Sequence, residues 1–225
     1  MAVILSDAFT GTNTDPWNTT NWETATGAGT RTINSNKGRI VTTGGTDYDG
    51  VTSQLKSGLG VVGDFDATID VGWTSLAGTA AAQFIWNFRH NFFGEGFRIH
   101  VRQSGGVWYW DLYSETGYAS TSRANGTTTP PANSGDTWRF RVQCIGSAVK
   151  VKWWDLAGGE PGSWQAEITE SNAASETGMR FDIGQHENTT SMTFDVDNLV
   201  VSAPAAAAIR RPAAAPVWRR SLSLT

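Results

Sequence analysis

Phe65-Asp66-Ala67-Thr68-Ile69-Asp70-Val71 places an apolar side chain at every odd position and a polar one at every even position. Successive side chains of a β-strand point to opposite faces, so this period of two reads as a strand with one face in a core. Trp138-Arg139-Phe140-Arg141-Val142-Gln143-Cys144 repeats the pattern, and so does Phe97-Arg98-Ile99-His100-Val101-Arg102. Working outward, further strands are predicted near 3–9, 39–43, 51–55, 83–89, 107–113, 148–154, 179–185 and 192–201. Turn-forming clusters such as Ser104-Gly105-Gly106 and Asn133-Ser134-Gly135-Asp136 separate them. About a dozen strands with short turns and no helical period imply an all-β chain with two packed antiparallel sheets.

The segment from Ala203 onward changes character. Residues 1–202 read as one β-sandwich domain, and 203–225 as a Pro/Ala/Arg-rich extended tail that cannot build a core of its own. The tail holds four Arg and no acid, which leaves 13 basic against 21 acidic residues, a charge of −8, in the domain. Such a domain lacks the basic footprint that nucleic-acid binding needs. The tail's Arg210, Arg211, Arg219 and Arg220, with Trp218, Leu222 and Leu224 as apolar anchors, read as a surface for sister subunits or other assembly partners, the alternative being a tail folded back on its own domain.

A single cysteine, Cys144, permits no internal disulfide and no multi-cysteine metal site; its strand position makes it a small core residue. His90, His100 and His186 show no ligand-like spacing. The opening Met-Ala-Val-Ile-Leu-Ser-Asp has no basic region and a short apolar run, so it reads as no signal peptide, and no stretch approaches a membrane span. Gly58-Leu59-Gly60-Val61-Val62-Gly63 matches a phosphate-loop spacing but runs into a strand rather than a helix, so it reads as a turn. In Asn91-Phe92-Phe93-Gly94 two adjacent Phe cannot both enter the core; either one is an exposed contact or both fold over the sandwich edge.

Three regions are similar to the concanavalin A-like (laminin-G-like) jelly-roll superfamily. They are Ile4-Leu5-Ser6-Asp7-Ala8-Phe9, then Gly135-Asp136-Thr137-Trp138-Arg139-Phe140-Arg141-Val142 with Val149–Trp154 and Pro161-Gly162-Ser163-Trp164-Gln165, and finally Phe194-Asp195-Val196-Asp197-Asn198-Leu199-Val200-Val201. The resemblance implies a two-sheet jelly roll whose first and last strands are neighbours. It implies no required cofactor and a structural calcium near those strands, for which Asp7, Asp195 and Asp197 are the candidate ligands. The chain also resembles domains of bacteriophage tail and capsid-surface (decoration) proteins. That likeness implies a non-enzymatic virion protein assembled in the host cytoplasm, a homo-oligomer held by its tail, with no nucleic acid and no membrane insertion.

If Phe84/Trp86/Phe88, Phe97/Ile99/Val101 and Trp108/Trp110/Leu112 point inward, then Asn87, Arg89, Arg98, His100, Arg102, Tyr109, Asp111 and Tyr113 share the opposite face. Flat rings beside amide, guanidinium and carboxylate groups suit a polyol such as a host-surface glycan. Two rivals stand beside this reading: a free-standing lectin-like protein, and a jelly-roll glycoside hydrolase. The hydrolases of this superfamily carry Glu-x-Asp-x-x-Glu on one strand. Asp64, Asp66 and Asp70 miss that spacing, and Asp66 and Asp70 are expected on a wet strand face.

Overall fold

The computed structural model describes residues 2–27, 29–42, 50–54, 64–75, 81–90, 95–104, 107–117, 119–128, 136–170, 178–186 and 192–204. The tail residues proposed as anchors, the Phe92–Phe93 loop and the Gly58–Gly63 turn lie outside them. Among the described residues fifteen strands run in chain order. They are β1 (Val3–Asp7), β2 (Thr26–Gly27), β3 (Gly29–Asn34), β4 (Lys37–Thr42), β5 (Gly50–Gln54), β6 (Phe65–Ser75), β7 (Ala81–His90) and β8 (Gly96–Ser104). Then follow β9 (Val107–Thr116), β10 (Ala119–Thr128), β11 (Thr137–Ile145), β12 (Ala148–Asp155), β13 (Ala166–Thr169), β14 (Gly178–His186) and β15 (Thr193–Ser202). No described helix is long and apolar enough to cross a membrane.

The strands form two antiparallel sheets. One has eight strands in the order β13-β12-β11-β6-β15-β4-β3, with β1 also pairing β15; the other has seven, β10-β9-β8-β7-β14-β5-β2. The last strand changes partners along its length. Thr193–Val196 pair with β4, whereas Leu199–Ser202 pair with β1, and β6 lies on the other side. First and last strands are therefore neighbours, and Ala203 N donates to Ala2 O at 2.9 Å just past them.

Between the sheets lies one continuous apolar core. Trp73 of β6 and Trp138 of β11 meet Trp108 of the other sheet in a trio of rings with centroids 5.2–5.6 Å apart. Phe84 packs across the interface on Phe140, and Trp110 on Trp153. Edge-on contacts of this kind add ~0.5–1.5 kcal/mol each beyond the area they bury. Cys144 is fully buried, and burial pushes its thiol up to about 12.

The outer face of the eight-stranded sheet departs from the expected wet strand face. Asp66 and Asp70 are 6% and 2% exposed, because Arg141 and Arg139 on β11 cover them with paired hydrogen bonds of 2.6–2.8 Å. Arg39 grips Asp195 in the same forked geometry, both bonds at 2.8 Å. Strand alternation fixes the side on which a carboxylate lies, and the neighbouring strand decides whether it meets water.

Candidate functional site

The outer face of the seven-stranded sheet assembles most of the side chains that alternation groups there. Strand register arranges them in cross-strand rows. Asn87, Arg98, Tyr113 and Ser122 make one row; Ile85, His100, Asp111 and Asn125 the next; Gln83, Arg102, Tyr109 and Thr127 the third. Their apolar alternates, Phe84, Trp86, Phe88, Phe97, Ile99, Val101, Trp108 and Leu112, are at most 1% exposed on the core side.

Tyr113 and Tyr109 each carry an arginine. Arg98 Cζ lies 4.7 Å from the Tyr113 ring centroid and Arg102 Cζ 5.6 Å from that of Tyr109. Arg98 is held at both terminal nitrogens: Nη1 pairs with Glu115 at 3.1 Å and Nη2 donates to Ser120 Oγ at 3.0 Å, while the buried Nε has no acceptor among the described residues. Burial would raise the Glu115 carboxyl, but hydrogen bonds from His90 and Ser120 with the Arg98 charge outweigh it, leaving the group below its ordinary value. Arg102 is freer, 46% exposed, and 3.9 Å from Asp111. Burial first, then the neighbouring Asp111 charge, lifts the Tyr113 phenol. His100 Nε2 lies 3.0 Å from Gln83 Oε1.

Over β8–β10 these groups bound an open cavity of about 470 Å³, lined by Arg102, Tyr109, Asp111, Asn125 and Thr127, with Trp110 and Gly126 between them. It offers a ring, a carboxylate, an amide, a hydroxyl and a guanidinium within one depression. That is a donor-and-acceptor set suited to vicinal hydroxyls.

Two of the predicted residues are placed differently. Asn87 keeps its row but is fully buried, so it presents no surface. Arg89 leaves the face altogether. Its φ of 46° accompanies a bulge against β14, and the side chain turns inward to 1% exposure. There the guanidinium donates to Gly146 O and to Asp64 Oδ1, at 2.6 and 2.8 Å. His90 takes the outer position instead, 3.2 Å from Glu115. Glu115, Ser120, Ser122, Asn125 and Thr127 were not foreseen. Glu115 continues the 111–113–115 alternation and was readable; the others lie on β10, which carries no apolar period.

The three aspartates proposed for calcium are not gathered into one ligand set, and no group of three His, Cys, Asp or Glu side chains converges among the described residues. Asp195 is held by Arg39. Asp7 accepts from the Phe9 amide and the Trp22 indole, both at 2.8 Å. Asp197 is raised by burial and then by the charges of Asp70 and Asp7. On the seven-stranded face, Asp111 and Glu115 are four residues apart on one strand, about 13 Å at ~3.3 Å per residue. Hydrolase carboxylate pairs stand ~5–9.5 Å apart.

Solved structures share this architecture. The CBM2 module of the evolved Dit of Lactobacillus casei BL23 phage J-1 superposes with a TM-score of 0.64 at 12% identity, over 91% of this chain and 96% of that one. The fold is a jelly-roll β-sandwich. The same jelly roll occurs in the carbohydrate-binding module CBM66 from Bacillus subtilis, with TM-score 0.57, 15% identity, and 83% and 98% of the two chains. It occurs again in an immunostimulatory antigen and pseudo β-1,3-glucanase of Mycobacterium tuberculosis, with TM-score 0.60, 12% identity, and 91% and 100% covered. No family model and no curated protein matches the sequence. At these identities the likeness is one of fold, and that jelly roll is shared by binding modules and hydrolase-like domains alike.

Proposed function

We propose that this jelly roll binds carbohydrate through the outer face of its seven-stranded sheet, as a non-enzymatic structural or decoration protein of a bacteriophage particle. The observation that carries the binding half is the cavity in which Tyr109, Asp111, Asn125, Thr127 and Arg102 converge. The Tyr109 ring supports the C–H side of a sugar, and Asp111 and Asn125, directly paired across β9 and β10, take its hydroxyls. A fold shared with a phage Dit module and with CBM66 supports the same reading. The particle half rests on that likeness and on the composition of residues 203–225, whose Arg210, Arg211, Trp218, Arg219, Arg220, Leu222 and Leu224 supply charge and apolar anchors for virion partners or sister subunits.

A glycan array followed by calorimetry on the best neutral oligosaccharide tests the binding half. Tyr109→Ala and Asp111→Ala are each expected to weaken binding about tenfold or more, one lost stacking or charged hydrogen-bond contact. Unchanged affinity in both variants sinks it. For the particle half, a chain ending at Ser202 is expected to stay folded and soluble yet fail to assemble. Normal assembly of that form, with glycan binding intact, favours the free-standing lectin instead.

A further inference from the structure

At the other lateral edge of the sandwich a cation occupies a core position. Arg31 alternates with the buried Ile33 on edge strand β3 and pairs in register with Ile40, which is fully buried. Alternation therefore directs Arg31 toward the interior side. Its guanidinium lies over two indoles, 4.8 Å from Trp17 and 5.9 Å from Trp22. Both rings are pinned: Trp17 Nε1 donates to Thr32 O and Trp22 Nε1 to Asp7 Oδ2, at 2.9 and 2.8 Å.

A desolvated charge is ordinarily met by an opposite one. Arg31 Nη2 donates to the Glu23 carbonyl, but Nη1 is shielded from water and has no acceptor, and no carboxylate pairs with the group among the described residues. Burial accordingly lowers the guanidinium to about 10. The half-buried side chain lines a cavity of about 300 Å³, together with Pro16, Trp17, Thr19, Trp22 and Glu23. That volume is at the low end for ligand cavities, room for about one ring-sized group.

We infer that this cavity is a second ligand site, built for a single sugar ring bearing a carboxylate, that is, a hexuronate residue. The carboxylate supplies the counter-charge and acceptor that Arg31 lacks, in the forked geometry guanidinium favours. The indole floor and Pro16 meet the ring's C–H side, and Thr19 and the Glu23 carboxylate take hydroxyls. Such a break with the core pattern, met by two rings and one carbonyl but by no carboxylate among the described residues, is the mark of a site rather than of packing.

The test is calorimetry and indole N–H NMR on the full chain with sodium glucuronate, against methyl glucoside and sodium acetate. Glucuronate is expected to bind, to shift the Trp17 and Trp22 indole resonances, and to exceed both comparison ligands at least about tenfold in affinity, the contribution of one charged contact. Arg31→Gln is expected to abolish that preference, and Arg31→Lys, which keeps charge but not the fork, to weaken it. Tyr109→Ala leaves it unchanged, so failure here and failure of the outer-face site are separable. Equal binding of glucuronate and methyl glucoside, equal binding of acetate, no binding at all, or loss through Tyr109→Ala but not Arg31→Gln would each overturn the inference.

Discussion

The buried Arg89 guanidinium and the half-exposed Asp64 carboxylate tie the two sheets together at one end of the sandwich, Nη2 to Oδ1 at 2.8 Å. Asp64 Oδ1 also accepts from the Gly146 amide at 2.8 Å, so one oxygen gathers β7, the start of β6 and the β11–β12 turn. Asp64→Ala removes the carboxylate with which this buried cation pairs. The expected cost is about 1–3 kcal/mol, because water screens the carboxylate's outer half. Urea unfolding reads it as a lower midpoint at constant slope; an unmoved midpoint refutes the tie.

Gly38 faces the core on β4, where an added Cβ would stand 2.7 Å from both Phe9 Cδ1 and Trp17 Cζ2. Gly38→Ala is expected to cost about 1–3 kcal/mol by overpacking, and to disturb the ring on which Arg31 rests. Thermal unfolding together with the Trp17 indole resonance checks both effects.

The outer row of the seven-stranded sheet sets an acid limit. The Glu115 carboxyl is held below its ordinary value, so its ionised form stabilises the fold fully above the ordinary glutamate range, and that contribution is lost as pH falls through the depressed value. Wild type should exceed Glu115→Gln by about 1–3 kcal/mol at pH 7, with the gap closing below about pH 4. Urea midpoints at pH 7, 5 and 3 follow it. A gap that does not narrow between pH 7 and pH 3 contradicts the assignment.

Asp197 has the opposite sign. Burial, then Asp70 and Asp7, raises its carboxyl, so its neutral form is favoured and stability is lost as pH rises through the raised value. Asp197→Asn is expected to raise the neutral-pH melting temperature, while the two proteins converge below about pH 4. The Asn198 amide keeps its acceptor in the variant, since the amide oxygen replaces Oδ1. A lower melting temperature for the variant at pH 7 disproves this reading.

Legibility in the sequence followed the apolar period. Strands β6, β8 and β11 alternate cleanly because each has one face in the core, and they sufficed for the two-layer architecture. Strand β10, Ala119–Thr128, was invisible: it is an edge strand exposed along most of its length, and only the small Ala124 packs inward against the core. Three of the seven residues lining the cavity, Asn125, Gly126 and Thr127, went with it. Arg89 was misplaced because period two assumes an unbroken pleat, and a positive φ at a bulge reverses it. The placing of the candidate calcium ligands was hidden for a different reason: Arg39, which pairs with Asp195, is 156 residues away in the chain.

The Ala203–Ala2 hydrogen bond brings the two ends of the sandwich to one doorway, on the layer that does not carry the tyrosine–arginine rows. Chain entry and chain exit thus share one corner of the eight-stranded sheet, and a partner held at that corner would leave the polar rows of the opposite sheet uncovered.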